Sequence, residues 1–135
     1  MILMQTTTVV AALIRREGRL LIGRRRADQA HALEWEFPGG KVEPGESPPE
    51  ALRRELREEL DIHARIGDEV ERYGFRYPGQ APLLLIFFAV DEFAGEPVNC
   101  VFSEIRWVAP AGLAQFKFLD GDIEFVKRLA GQPQP

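Results

Sequence analysis

Three glutamates spaced for one face of a helix constrain this chain more than any other feature of its sequence. Glu55, Glu58 and Glu59 lie at positions i, i+3 and i+4, so a helix brings their side chains together. Like charges at this spacing destabilise a helix by about 0.2–0.5 kcal/mol per pair. A divalent cation with oxygen ligands would offset that repulsion, and the segment is therefore a candidate metal site.

The residues around the glutamates predict a helix from Pro48 to about Leu60. Ser47 and Glu50 form the capping pattern S-x-x-E, and Pro48 falls at the first helical position, where its missing N–H costs nothing. At steps of about 100° per residue, the glutamates occupy one arc, which also contains Ala51. The neighbouring arc is an apolar stripe that must face a core, made of Leu52, Leu56 and Leu60.

A solvated charged helix is the alternative interpretation, because Arg54 forms favourable i,i+4 pairs with Glu50 and with Glu58. The turn that precedes the helix, with the sequence FPGG at residues 37–40, favours a binding site instead. Its glycines can expose backbone carbonyl and N–H groups beside the acidic arc.

The segment from Gly40 to Ile62 resembles the signature of the Nudix hydrolases, G-x5-E-x7-R-E-U-x-E-E-x-G-U, in which U is a bulky aliphatic residue. The positions that match are Gly40, Glu46, Arg54, Glu55, Leu56, Glu58, Glu59 and Ile62. One position departs from the pattern, because Asp61 replaces the last glycine. Asp can also adopt the left-handed conformation, so we expect it to end the helix without affecting the glutamates. A weaker similarity extends from about Thr6 to Leu129.

The resemblance implies an α+β fold of the Nudix type, in which a mixed β-sheet is sandwiched between α-helices (α/β/α). It implies oxygen ligands for Mg²⁺, for which Mn²⁺ could substitute, from Glu55, Glu58, Glu59 and the backbone carbonyl of Gly39 or Gly40. One glutamate, Glu55 by preference, would also orient or deprotonate the attacking water. Glu46 and Arg54 complete the candidate catalytic residues, because they would orient the metal ligands. MutT-like relatives supply a further glutamate at the position of Val101 in this chain, where Glu104 is the nearest acidic residue.

The segment from Arg24 to Glu43 resembles the MutT branch, which converts nucleoside triphosphates to monophosphates and pyrophosphate. Arg25 matches an arginine that reaches the substrate phosphates there, and a solvated basic run is the alternative. Asp122 occupies the position of the base-reading residue, although it would also serve as the N-cap of the last helix. Phe37 and Tyr77 are the other candidate substrate-binding residues. The second arginine with which MutT contacts its substrate has no counterpart in this chain. This difference argues against specificity for oxidised guanine.

Composition indicates one domain over residues 1–135, with a frayed tail at residues 131–135. Apolar residues make up 45% and charged residues 28%, as in ordinary globular proteins. The net charge of −4 argues against binding a nucleic acid polymer, and a polyphosphate substrate would need cations to offset the repulsion. Cys100 is the single cysteine, so an internal disulfide is excluded. We expect a cytoplasmic protein without a membrane partner, either a monomer or a homodimer.

The remaining pattern predicts strands separated by turns at Glu17-Gly18 and Pro78-Gly79. Strands are expected over residues 6–14, 19–23, 35–37, 62–66, 69–77, 82–90 and 104–109. The strand at 82–90 is almost continuously apolar, which predicts that both of its faces are buried. A helical turn is expected over 110–114, and a second helix over 122–129.

Three functions are compatible with the sequence. The first is a Mg²⁺-dependent nucleoside triphosphate pyrophosphohydrolase that cleans the nucleotide pool, acting on 8-oxo-dGTP or (d)CTP-type nucleotides. The second is a Nudix hydrolase of ADP-ribose or another nucleoside diphosphate derivative. A proline at about the position of Pro78 is typical of relatives that hydrolyse ADP-ribose, although a hairpin turn also explains this proline. The third is a non-catalytic Nudix-fold binding module, which is disfavoured because such modules usually lose the signature glutamates that this chain keeps.

Overall fold

The computed structural model describes residues 5–131 of the chain. Its strands are β1 (Thr7–Arg16), β2 (Arg19–Arg24), β3 (Trp35–Glu36), β4 (Gly39–Lys41), β5 (His63–Arg65), β6 (Glu69–Phe75), β7 (Leu83–Val90), β8 (Glu92–Ala94) and β9 (Glu104–Val108). Its helices are α1 (Pro48–Leu60) and α2 (Ile123–Gly131), and two 3₁₀ turns cover Pro110–Gln115 and Asp120–Asp122.

β1 is the centre of a mixed sheet with the order β3-β2-β1-β7-β6. It pairs in parallel with β7, from Thr7 opposite Leu83 to Ile14 opposite Val90, whereas the other pairs are antiparallel. β4 pairs with the first half of β1, and β9 pairs with β2 from Leu20 to Arg24. β5 and β8 form a separate antiparallel pair. Through β4, the Gly39-Gly40 turn is fixed against the central strand.

α1 begins and ends where the sequence predicts. The hydroxyl of Ser47 accepts a hydrogen bond from the backbone N–H of Glu50 (3.2 Å), as its N-cap position requires. At the other end, Asp61 has a φ of 53° and donates its backbone N–H to the carbonyl of Arg57 (3.1 Å). Asp61 therefore ends the helix in the left-handed conformation that was expected of it.

The apolar stripe of α1 packs on one face of the sheet, where Leu52, Leu56 and Leu60 are fully buried. Ala51, which projects within the acidic arc, is also fully buried in this cluster, so part of that arc meets the core. At about 100° per residue, Ala51 projects between Glu58 and Glu55, and Glu59 adjoins the leucine stripe at Leu52.

α2 packs on the opposite face of the sheet, where Phe125, Val126 and Leu129 lie in a second cluster. β7 supplies both clusters, with Ile86 in the first and Phe87 in the second, because successive residues of a strand point to opposite faces. The predicted burial of both faces of this strand is therefore confirmed, as is the arrangement of a mixed sheet between helices.

The structure adds two short strands, β4 and β8, that the sequence did not predict. α2 continues through Gly131, so the predicted tail begins one residue too early, and residues 132–135 lie outside the described part of the chain. Within residues 5–131, neither helix is long and apolar enough to cross a membrane.

Candidate active site

Arg54 is the centre of a hydrogen-bonded network that joins α1 to the segment before it. Its guanidinium donates two bonds to the carboxylate of Glu46, from Nε (2.7 Å) and from Nη2 (2.9 Å). Nη2 also donates to the backbone carbonyl of Lys41 (3.1 Å), and Nη1 donates to Glu55 (3.0 Å) and to Glu58 (3.4 Å). One arginine therefore fixes the positions of three predicted site residues at once.

The pairing of Glu46 with Arg54 keeps both groups ionised. Hydrogen bonds from Arg54, and then from the backbone of Glu43, lower the pKa of Glu46 to about 2. The bond to Glu46 is in turn the main cause that raises the pKa of Arg54 above its ordinary value. A bidentate arginine–carboxylate pair has a fixed geometry, so it suits the orienting role that the sequence suggests for these two residues.

Glu55 and Glu59 lie one helical turn apart on the face of α1 that meets the glycine turn. Burial is the main cause that raises the pKa of Glu59 to about 9, and the charges of Glu55 and Glu36 add to it. Burial also raises the pKa of Glu55 above its ordinary value. The backbone N–H of Gly39 donates to Glu59 Oε1 (3.1 Å), which ties this pair to the glycine turn. Both carboxyls are partly buried, and a divalent cation would offset the repulsion between their charges.

The glycine turn lies so close to α1 that side chains are excluded from it. A Cβ atom at Gly40 would lie 2.6 Å from the carboxyl carbon of Glu55, and one at Gly39 would collide with the backbone carbonyl of Val10. Glycine is therefore required at position 39, whereas a side chain at position 40 would need the carboxyl of Glu55 to move.

Glu58 is set apart from Glu55 and Glu59, because its side chain is 58% exposed and faces Arg54. Among residues 5–131, no three His, Cys, Asp or Glu side chains converge on one point as a ready-made metal site. The donor types nevertheless fit Mg²⁺, which takes one or two carboxylates and keeps several waters rather than requiring an all-protein cage.

A cavity of about 240 Å³ opens beside these carboxyls, and we call it the glutamate cavity. Its lining residues are Arg25, Gln29, Glu36, Glu55, Glu58, Glu59, Val101 and Phe102. Arg25 donates from Nη1 to Glu36 (2.8 Å) and from Nε to the carbonyl of Ala30 (2.8 Å). The structure thus brings Arg25 next to the glutamates, where a phosphate-binding arginine is expected.

A second cavity of about 110 Å³ lies on the other side of the Gly39-Gly40 turn, and we call it the apolar cavity. Its lining residues are Val9, Val10, Ala11, Glu36, Phe37, Gly39, Gly40, Tyr77, Leu83, Leu85, Phe87, Leu119 and Asp122. Phe37 and Tyr77 are therefore both brought to this cavity. Trp35 and Phe118, the other aromatic side chains that could stack on a base, are buried in the core.

Asp122 is the buried acidic residue of the apolar cavity, with 9% of its surface exposed. Burial is the main cause that raises its pKa to about 8, with a smaller contribution from the charge of Glu36. It directly precedes α2, but none of the side-chain hydrogen bonds found among residues 5–131 caps the helix from Asp122. Its carboxyl is therefore available to a molecule in the cavity.

Glu36 is the site residue that the sequence reasoning missed. It lines both cavities, forms an ion pair with Arg25 (2.8 Å), and has a pKa that burial raises above its ordinary value. The available signal was a charge between Trp35 and Phe37 in a short extended segment. Glu104, the weak candidate for a further metal ligand, pairs instead with Arg106 and does not line the glutamate cavity.

Comparison with known proteins agrees with this geometry. The sequence profile of the NUDIX domain matches residues 4–129, and the chain therefore belongs to the NUDIX family. It is 37% identical to the 8-oxo-dGTP diphosphatase of Haemophilus influenzae, over 92% of this chain and 91% of that protein. It is also 37% identical to the CTP pyrophosphohydrolase of Escherichia coli, with the same two coverages.

The solution structure of the Escherichia coli ORF135 protein superposes with a TM-score of 0.83 at 37% identity, covering 92% of this chain and 88% of that one. The fold and the family that the sequence resembles are therefore both confirmed. The predicted enzyme class, a Nudix hydrolase of nucleoside triphosphates, agrees with the activities that these relatives' names state.

Proposed function

We propose that this protein is a Mg²⁺-dependent pyrophosphohydrolase that converts a nucleoside triphosphate and water into a nucleoside monophosphate and pyrophosphate. The observation that carries the proposal is the junction of the two cavities. Glu36 lines both, and the Gly39-Gly40 turn contacts Glu55 and Glu59 while it lines the apolar cavity. A nucleoside triphosphate has the same division, because a largely apolar base is joined to a polyanionic chain.

The metal is assigned to the glutamate cavity, with Mn²⁺ as a possible substitute for Mg²⁺. Its ligands would be Glu55, Glu58, Glu59 and the backbone carbonyl of Gly39 or Gly40. When bound, the cation would neutralise phosphate charge and lower the pKa of a water molecule. Carboxylates and carbonyls are the oxygen donors that Mg²⁺ takes in proteins, and the three glutamates line a cavity of about 240 Å³.

The protein's own groups then have separate tasks. Arg54, anchored by Glu46, orients Glu55 and Glu58 through its guanidinium. Glu55 is the preferred group to orient or deprotonate the attacking water, because its carboxyl lies between Arg54 and the glycine turn. Arg25, which lines the same cavity, would donate hydrogen bonds to the phosphates.

Asp122 is proposed to read the base. A neutral carboxyl has one donor and one acceptor, which matches the N3 acceptor and the N4 amino group of cytosine. A carboxylate has acceptors only, which matches the adjacent N1–H and N2 amino donors of guanine or 8-oxoguanine. With a pKa of about 8, Asp122 is mostly neutral at pH 7. We therefore expect the preference for CTP over 8-oxo-dGTP, as a ratio of kcat/KM values, to decrease from pH 6 to pH 9.

The decisive experiment is incubation with Mg²⁺ and a panel of (d)NTPs, 8-oxo-dGTP, 5-methyl-dCTP and ADP-ribose. Release of pyrophosphate from a triphosphate is the expected result. Release of AMP from ADP-ribose alone would support hydrolysis of ADP-ribose, the second function. Pro78 does not by itself favour that function, because it lies in a turn closed by a hydrogen bond from the N–H of Gln80 to the carbonyl of Tyr77 (3.0 Å). Absence of turnover with every substrate would support a binding module. The proposed enzyme acts in the cytoplasm on the free nucleotide pool.

A further inference from the structure

The two tyrosines of this chain converge on one peptide unit. The hydroxyl of Tyr73 donates a hydrogen bond to the backbone carbonyl of Gly121 (2.5 Å). The backbone N–H of Gly121 donates to the hydroxyl oxygen of Tyr77 (3.0 Å). Both polar groups of a buried glycine are thus satisfied by side chains from a distant part of the sequence.

Each tyrosine ring packs against a different phenylalanine ring. Tyr73 lies on β6, and its ring stacks on Phe87 with the centroids 5.8 Å apart. Tyr77 lies in the turn between β6 and β7, and its ring packs edge-on against Phe75 at 4.9 Å. Burial raises the pKa of both hydroxyls above the ordinary value, so both keep their protons at neutral pH. Rigid rings with fixed hydroxyls can hold a peptide in one place.

Gly121 itself has little freedom to move. A Cβ atom there would lie 3.2 Å from the Tyr77 hydroxyl and 3.3 Å from the ring of Phe75, which is tighter than most side-chain contacts. The next residue is Asp122, whose backbone N–H donates to the carbonyl of Leu119 (2.9 Å) within the same 3₁₀ turn. The backbone is therefore held at Gly121 by the tyrosines and at Asp122 by the 3₁₀ turn.

We propose that Tyr73 and Tyr77 are positioning residues for Asp122, and that they determine base discrimination by fixing the Gly121 peptide. This inference rests on the proposed function of Asp122 as the base-reading group. Tyr77 also lines the apolar cavity, where it can touch a ligand directly, but Tyr73 does not line it. Tyr73 is therefore the residue with which positioning can be separated from ligand contact.

The test is the variant Tyr73→Phe, which keeps the ring on Phe87 and removes only the hydroxyl. Dissociation constants of CMP and 8-oxo-dGMP are measured by calorimetry without metal, and kcat and KM are measured for CTP and 8-oxo-dGTP with Mg²⁺. A hydrogen bond is worth enough to change the ratio of the two dissociation constants by about three- to tenfold. We expect that loss of discrimination to appear mainly in KM, because the glutamate cavity is not touched.

The control is Val126→Ala, which removes core packing of α2 without touching Gly121 or the lining of the cavity. It should lower the melting temperature and leave the ratio of the dissociation constants unchanged. If Tyr73→Phe behaves in the same way, the inference is wrong. Equal affinity of the wild type for the two monophosphates would also overturn it. Failure of the proposed function is a different result, namely that the wild type releases no pyrophosphate from any triphosphate.

Two further measurements do not depend on the folding of Tyr73→Phe. In the wild type, carbon-13 at the ζ position of tyrosine gives two signals, and both should shift when the preferred monophosphate is added. The variant Gly121→Ala keeps both hydroxyls but forces the Tyr77 hydroxyl and the peptide apart by a few tenths of an ångström, so it should lose discrimination to a similar extent. Unmoved tyrosine signals, or an unchanged ratio in Gly121→Ala, would contradict the inference.

Discussion

The glutamate cavity and the apolar cavity share a wall but are built in different ways. The acidic side chains of the first come mainly from α1, and charged partners such as Arg54 and Arg25 lie among them. The second collects residues from β1, β7 and the 3₁₀ turn before α2, and among residues 5–131 no arginine pairs with its Asp122 carboxyl. The difference suggests that cleavage depends on one continuous segment, whereas base choice depends on how distant segments meet.

The largest effect is expected at the glutamate cavity from Glu58→Gln. The substitution removes a charge that we assign to the metal, so turnover should fall on the order of 10²- to 10⁴-fold while the fold survives. Pyrophosphate release and circular dichroism measure the two quantities. Glu50→Gln is the matched control, because Glu50 is exposed on the same helix outside the cavity. A near-normal rate for Glu58→Gln would contradict the metal assignment.

The Gly39-Gly40 turn, which lies between the two cavities, can be perturbed with Gly40→Ala. The new Cβ would need the space of the Glu55 carboxyl, 2.6 Å away, and a displacement of about 1 Å at a reacting group can cost on the order of 10²-fold in rate. We expect kcat to fall by about that factor and the affinity for monophosphates to change less. Gly131→Ala, at a glycine with open space around it, should leave both quantities unchanged. Unaltered kcat in Gly40→Ala would argue against the role of this turn.

Asp122→Asn tests the electrostatics of the apolar cavity. The ordinary pKa of aspartate is 3.8, and that of Asp122 in the folded protein is raised to about 8. The unfolded chain therefore loses this proton at a lower pH than the folded protein does. The neutral form contributes its full stability at low pH, and this contribution is lost as the pH rises through about 8. The amide cannot ionise, so the gain in melting temperature of Asp122→Asn over the wild type should increase from pH 5 to pH 9.

Asp120→Asn is the control for that measurement, since Asp120 lies in the same 3₁₀ turn but is exposed. Its melting temperature should follow that of the wild type across the range. A constant difference between Asp122→Asn and the wild type from pH 5 to pH 9 would show that Asp122 is ionised throughout, and the proposed change of base preference with pH would then be wrong.

The smallest effect is expected outside both cavities, from Asp61→Gly. Asp61 adopts a positive φ of 53°, which costs a non-glycine residue on the order of 1 kcal/mol. Glycine should therefore raise the melting temperature by about 4 °C and leave the hydrolysis rate unchanged. Differential scanning calorimetry gives the first quantity. A lower melting temperature would indicate that the aspartate side chain stabilises the helix end.

Sequence alone predicted the glutamate cavity better than the apolar one, and the reason is physical. The bounds of α1 follow from a cap at Ser47, a proline and a leucine stripe, which all act within one segment. Arg25 was named as a phosphate contact only through the resemblance to a family, and its position beside the glutamates was not predicted. Nothing local predicts β4, because Gly39 and Gly40 have no intrinsic preference for a strand, and their pairing is decided by β1.

The apolar cavity depends on contacts between distant segments. The bond from Tyr73 to Gly121 joins residues that have no common periodicity, and only the packing of β6 against the turn before α2 creates it. Glu36 was missed for a similar reason, because its role comes from lying between two cavities and not from a motif. Asp122 was found through the family resemblance, but its burial and the resulting pKa were not.

The parallel pairing of β1 with β7 determines when, during synthesis and folding, the protein can become active. Thr7 pairs with Leu83 and Ile14 with Val90, so the central pair of strands cannot form until most of the chain has been synthesised. The leucine stripe of α1 packs on these same strands, and before they pair it has no surface to cover. The helix that carries the glutamates, although local in sequence, should therefore become ordered only with the sheet. Refolding followed by circular dichroism and by recovery of hydrolysis should give one common rate.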